Sequence, residues 1–168
     1  MVKLVEPHKR YEKEYRTFYE EWILSSEKIV PWTAAENPAA FDAFVNWLNH
    51  QEEETEMVPH STFWLVEESG KITGAVNIRH SLNESLKIRG GHIGYGVLPS
   101  ERRKGYATKM LSLALEKAGE LGIKEVLVTC DADNKASQKT ILRNGGILHS
   151  EEEINGVWIK RFWIQLQS

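Results

Sequence analysis

The chain has 168 residues, of which 41% are hydrophobic and 27% charged, with a formal net charge of −3. That length suffices for one folded domain, residues 1–168, with a single core, and the acidic balance argues against a general nucleic-acid binder. With no apolar run of about 18 residues a membrane span is not expected, and a lone Cys130 excludes an internal disulfide and suits a reducing, cytoplasmic compartment.

The opening "MVKLV" reads as a short strand, and the charge that follows it does not read as a secretory signal. Pro7 suits the first turn of a helix, on which Tyr11, Tyr15, Phe18, Tyr19, Trp22 and Ile23 follow at helical spacing. Their aromatic face is either core or a wall facing substrate. "VPWTAAENP" is a connector, with Asn37 as N-cap and Pro38 as first helical residue. Phe41, Phe44, Val45 and Leu48 then mark a second amphipathic helix, closed by the polar "NHQEEETE". Residues 61–67 and 71–79 read as a hairpin around Ser69-Gly70. "SLNESLKIRGG" connects it, with room for a helical turn, to a strand over 92–97.

A helix starts near Arg103, carries Ala107, Leu111, Ala114, Ala118 and Leu121 on one face, and ends at Gly122. "KEVLVTC" is short, apolar and β-branched, which predicts a buried central strand. Residues 134–144 form a helix stopped by Gly145-Gly146, and the finish is a hairpin of 147–153 and "VWIKRFWIQL" around Asn155-Gly156. This order predicts a mixed α/β (α+β) domain with one central, mostly antiparallel, twisted sheet of about six to seven strands flanked by helices.

One stretch is anomalous. In "GYGVLPSERRKGYATKML" the cations Arg102, Arg103 and Lys104 crowd the start of a helix, where the macrodipole favours anions. Unpaired N–H groups at a helix start bind phosphate well. Cations there make sense if a polyanion occupies the site, and the small Gly105 and Ala107 let it approach the backbone. The bland alternative is a solvated basic helix end.

The same stretch resembles the acyl-CoA signature of the GNAT superfamily of N-acetyltransferases, a strand ending in Val-x-Pro followed by Arg/Gln-x-x-Gly-x-Gly/Ala. Here those residues are Val97, Pro99, Arg102, Gly105 and Ala107. The superfamily's next helix opens with Asn, a small residue three places on, and a closing Gly; here they are Asn134, Ser137 and Gly145. A lone R-x-x-G-x-A would be weak; the combined arrangement is specific. The Rossmann reading fails, because the glycines of "GGHIGYG" lie in a strand and no GxGxxG is present. A P-loop lacks its Gly-Lys-Ser/Thr.

The resemblance implies an acetyl-CoA site. The pyrophosphate would lie on the amides of Arg103, Lys104, Gly105, Tyr106, Ala107 and Thr108. The pantetheine arm would pair with the strand ending at Val97, between that strand and 124–130, with Asn134 and Ser137 on its far side. It implies transfer of the acetyl group to a primary amine, with a backbone N–H near Val97 polarising the carbonyl. No nucleic acid or membrane partner is implied, and the acceptor is a small-molecule or protein amine.

For the base, His92 occupies a strand position where several superfamily members carry a carboxylate. It is either a proton acceptor of suitable pKa or a strand histidine satisfied by its neighbours. The sequence departs from the pattern at Ile141, where members commonly carry a tyrosine that protonates the leaving sulfur, and at Gly146, usually aromatic. Tyr95 and Tyr106 are near in sequence. The missing tyrosine supports a second reading, a non-catalytic acyl-CoA sensor. Cys130 reads as a small buried hydrophobe rather than an acyl-carrying nucleophile, which favours direct transfer in a ternary complex. Asn77 and Arg79 share a strand face and either line the acceptor cleft or face solvent. The acidic run 151–153 is a solvated strand end. The tail aromatics either close the core or meet a second copy in a homodimer.

Overall fold

The computed structural model describes residues 1–50 and 57–167. The strands are β1 (Val2–Val5), β2 (His60–Glu67), β3 (Ile72–Arg79), β4 (Ile93–Val97), β5 (Glu125–Asp131), β6 (Ile147–Ile154) and β7 (Val157–Gln165). The helices are α1 (Glu12–Leu24), α2 (Trp32–Ala35), α3 (Phe41–Asn49), α4 (Glu84–Ile88), α5 (Tyr106–Glu120) and α6 (Lys135–Arg143).

The strands form two antiparallel sheets, in the order β1-β2-β3-β4 and β5-β7-β6. The single sheet expected from the sequence is therefore split between β4 and β5. Strand β5 lies mid-molecule and is buried along Val126–Val128, yet it is an edge of its own sheet. A continuous apolar run shows that a strand is covered on both faces, not that it is paired on both edges.

Alternation along β2 and β3 sends side chains to two cores. Phe63, Leu65, Val76 and Ile78 meet Met110, Leu111, Ala114 and Ala118 of α5. Trp64 and Ala75 point the other way, into a core with Tyr15, Phe18 and Trp22 of α1 and Phe41, Phe44 and Leu48 of α3. Tyr15 stacks on Trp64 with ring centroids 4.5 Å apart, a pairing that adds about 0.5–1.5 kcal/mol to area burial. Tyr15, Phe18 and Trp22 of α1 are thus core, Tyr19 is partly buried against them, and Ile23 is exposed.

Local chemistry moves several boundaries. A 3-10 turn over Lys9–Tyr11 precedes α1, so Pro7 stands outside the helix. Asn37 does not cap α3; its Oδ1 accepts from the Ala39 amide at 3.0 Å in a local turn, and the helix begins at Phe41. Residues 51–56 of the polar closing segment lie outside the described residues. The connector after β3 contains α4, whose start is fixed by Asn83 Oδ1 accepting from Leu86 N at 2.8 Å, a cap worth about 1 kcal/mol. The β6–β7 turn places Asn155 and Gly156 at φ 49° and 84°, the two positive values a tight two-residue hairpin turn requires. In β7, Ile159, Phe162 and Ile164 are buried and Trp158 is half-exposed.

Candidate functional site

The basic stretch folds as a 3-10 turn (Pro99–Glu101), an irregular loop and the start of α5 at Tyr106. Gly105 is the N-cap, at φ 80°, where only glycine avoids strain. A Cβ built there meets nothing within 4 Å, so the space over the loop is open. The first amide to bond within the helix is that of Lys109, to Gly105 O at 3.1 Å. The amides of Tyr106, Ala107 and Thr108 therefore have no helical acceptor and form a rim suited to an anion.

The three cations do not all serve that rim. Arg102 is turned back, with Nη1 2.7 Å from Glu27 and Nε donating to Val97 O at 3.2 Å. Lys104 lies 2.7 Å from the buried Glu101 carboxylate, whose other oxygen accepts from Lys71 at 2.7 Å. Hydrogen bonds from Lys104 and Lys71 hold the Glu101 carboxyl below its usual range. Arg103, at φ 65°, makes no ion pair among the described residues. The unfavourable charge at the helix start is thus largely balanced within the protein. The sequence count missed this because Glu27 is remote along the chain and the role of Glu101 depends on its burial.

The gap between the sheets begins at His92. Its backbone N–H donates to Leu127 O at 2.8 Å, and its Nδ1 accepts from Leu127 N at 2.9 Å. Beside it, Gly90 N donates to Thr129 Oγ1 at 2.9 Å and Arg89 pairs with Asp131 at 3.1 Å. Gly91 has to be glycine: at φ 61° a Cβ would come 2.3 Å from Leu127 O. Beyond this junction β4 and β5 share no ladder and lie in separate sheets. Successive amides of a strand alternate sides, and Leu98 N donates to Thr73 O on β3. The Val97 N–H consequently points away from β3, into the gap.

At the start of α6, Asn134 Oδ1 caps the Ser137 amide at 3.1 Å. Ser137 Oγ is 2.8 Å from the hydroxyl of Tyr95, which reaches it from β4. Burial pushes the Tyr95 phenol up to about 12. Ile141 is fully buried and abuts Gly146, where a Cβ would come 2.4 Å from its side chain. Cys130 is buried and its thiol is pushed up to about 11, first by desolvation and then by Asp131. It is a poor nucleophile.

Because Nδ1 of His92 accepts an amide proton, the neutral ring carries its proton on Nε2. As placed, it has no free lone pair for a substrate proton. Burial and the Arg79 charge keep its pKa below the ordinary value, which favours this neutral form.

Asn77 and Arg79 are not solvent-facing as a half-exposed sheet would leave them. Asn77 is fully buried, its Nδ2 within 2.9 Å of His60 Nδ1 and 3.1 Å of Thr62 Oγ1, which in turn donates to Thr33 Oγ1 at 3.2 Å. Arg79 donates to Gly90 O at 3.2 Å. Thr33 of α2 closes over the Asn77 cluster and the connector at Gly90 covers Arg79, and periodicity within β3 carries no sign of either. Sequence reasoning also passed over Glu101, Lys71 and the contact made by Tyr95; a carboxylate beside three cations was the one available signal.

Residues 6–147 match the family model described as an acetyltransferase (GNAT) domain. No curated protein matches the chain. Among solved structures, it is similar to the microcin C7 self-immunity acetyltransferase MccE in complex with acetyl-CoA and AMP. That match has 22% identity and TM-score 0.66, and it covers 98% of this chain and 92% of that one. It is also similar to spermidine N-acetyltransferase from Vibrio cholerae in complex with CoA and spermine, at 15% identity and TM-score 0.65, covering 98% and 95%. The dodecameric structure of the Vibrio cholerae enzyme matches at 15% identity and TM-score 0.63, covering 98% and 92%.

Proposed function

The chain belongs to the GNAT acetyltransferase family, whose cosubstrate is acetyl-CoA, and from that premise we propose that it moves the acetyl group of acetyl-CoA directly to a primary amine in a ternary complex. The observation that carries this reading is the amide rim of Tyr106–Thr108, with open space at Gly105, on the helix that follows β4, a strand whose outer edge is unpaired. The rim binds the pyrophosphate, with Arg103 as the free cation and Gly105 giving close approach. The pantetheine arm runs along the β4 edge past Val97, and Asn134 and Ser137 flank it from α6. The Val97 N–H stabilises the carbonyl oxygen as it gains charge.

The amine attacks the carbonyl, the C–N bond forms, and the thiolate departs as the C–S bond breaks. The surplus proton of the amine leaves to solvent. His92 holds the inner end of the gap and does not take that proton. Cys130, with its raised thiol pKa, forms no acyl intermediate. Arg102 and Lys104 shape the loop through Glu27 and Glu101. We read the reaction as cytoplasmic, a reading that the lone reduced Cys130 supports.

Calorimetric titration with acetyl-CoA tests the donor site. We expect micromolar binding that is lost in Gly105→Glu, which puts bulk and negative charge where the pyrophosphate lies. No binding to folded wild-type protein would overturn the acyl-CoA reading. Release of free thiol on adding amines then separates an enzyme from a sensor. Polyamines and amines joined to adenylate are the first acceptors to screen, since solved neighbours carry spermine and AMP.

A further inference from the structure

Proton and charge chemistry at the sulfur needs a donor in the gap, and α6 does not supply one at Ile141, which is fully buried in the core. The opposite wall does. Tyr95 stands on β4 two residues before Val97, so both side chains leave the strand on the same face and both amides point to the same edge. Its ring packs against the α5-side core, and its hydroxyl crosses to α6, 2.8 Å from Ser137 Oγ. The Thr140 hydroxyl on α6 and the Cys130 thiol on β5 also face the phenol. Ser137 is itself fixed by the Asn134 cap on its amide. A hydroxyl pair therefore spans the gap one step inward from the Val97 N–H.

We propose that the Tyr95 hydroxyl, positioned by Ser137, donates a hydrogen bond to the sulfur of CoA as the thioester breaks. This rests on the acyl-CoA reading of the site. The step balances without net proton transfer from tyrosine. The amine lone pair forms the C–N bond, the C–S electron pair stays on sulfur, and the amine proton goes to water. Tyr95 keeps its proton and shares it with the thiolate, a charge-assisted bond stronger than its ground-state counterpart. A phenol stays protonated, and so remains a donor, across the neutral range, and burial pushes this one further up. Phenylalanine at 95 would keep the packing and lose the donor.

The test needs no acceptor. CoA carrying 13C at the carbon beside sulfur is bound to the full chain, and its thiol is titrated by NMR in wild type, Tyr95→Phe and Ser137→Ala. We expect the bound thiol to be about tenfold more acidic in wild type than in Tyr95→Phe, with Ser137→Ala between them. A core residue with no contact to sulfur would leave the thiol titration unmoved. Equal titration in wild type and folded Tyr95→Phe overturns the proposal while leaving the CoA site intact. Should Tyr95→Phe fail to fold, an unshifted thiol in Ser137→Ala overturns it. Absence of CoA binding to wild type removes the donor-site reading and this inference together.

Discussion

His92 holds Leu127 twice, giving its amide to the Leu127 carbonyl at 2.8 Å and taking the Leu127 amide on its ring nitrogen at 2.9 Å. This residue pair joins β4 to β5 at the inner end of a gap that otherwise separates two sheets. Losing the ring leaves a buried backbone N–H without its acceptor, which costs about 1–3 kcal/mol. His92→Ala should lower stability by that order in urea unfolding. His92→Gln, whose carbonyl can accept the same amide, should lose less and keep most of its kcat with an unchanged pH profile. A hundredfold loss of kcat with an altered profile in folded His92→Gln would make His92 the base.

The buried His92 ring also sets a pH dependence. Desolvation, and then the Arg79 charge, hold His92 below its ordinary pKa of 6.5. As pH falls the unfolded chain takes up this proton first, so the stability present above pH 6.5 is lost on acidification until the folded ring protonates too. His60 and His80 are lowered as well, chiefly by burial. Urea midpoints should fall between pH 8 and pH 5.5, and the slope should be shallower in His92→Gln.

Glu101 binds two lysines with its two oxygens, at 2.7 Å each. Its folded pKa is depressed, so its contribution is present at neutral pH and lost as pH falls through the carboxylate range. Glu101→Gln should destabilise the free protein by about 1 kcal/mol, since both lysines are substantially exposed. It should also release Lys104, one residue before the Gly105 cap, while Lys71 keeps Glu21 at 3.9 Å, so acetyl-CoA should bind more tightly and with a steeper salt dependence in calorimetry.

Arg102 and Arg103 are adjacent but do different work. Arg102 is tied to Glu27 and Val97 O, so Arg102→Ala should lower both stability and affinity. Arg103 makes no ion pair among the described residues, so Arg103→Ala should leave the melting temperature within a degree or so and weaken acetyl-CoA by about 1 kcal/mol, one charge-assisted contact. Thermal melts and titration of the two variants side by side check this.

Placing a tyrosine where family members often carry one should not help. Ile141 has no exposed surface and presses on Gly146, so the larger ring has nowhere to go. Ile141→Tyr should cost about 1–3 kcal/mol from overpacking with no rise in kcat, measured by denaturant unfolding and thiol release.

Apart from the short α2, which lies within the segment read as a connector, the sequence alone determined the order of the strands and main helices, the hairpin turns and the amide-rich loop before α5. These are local: Asn155-Gly156 selects its turn by backbone conformation, and Gly105 marks a helix start whose amides lack partners whatever lies beyond. Alternation and helical spacing likewise named the core residues of α3 and most of those of α1 and α5, because burial on one face repeats with the element's own period; Ile23 and Leu121 are exposed instead, and the fully buried Met110 was not among them. The tertiary structure decided what these patterns cannot encode. Whether β5 pairs with β4 depends on both edges of both strands, and the bonds to β5 are made by residues 89–92, just before β4, and not by β4 itself. Whether Arg102, Arg103 and Lys104 face a ligand depends on Glu27 and Glu101, carboxylates brought to them by the packing of α1 and the burial of the 3-10 turn. Whether Tyr95 or position 141 offers a hydroxyl to the gap depends on which side chains cross between the sheets, a relationship between residues 42 apart in the chain. A sequence specifies local conformation through each residue's own sterics and hydrogen bonding; partners at such separations are fixed only when the elements pack.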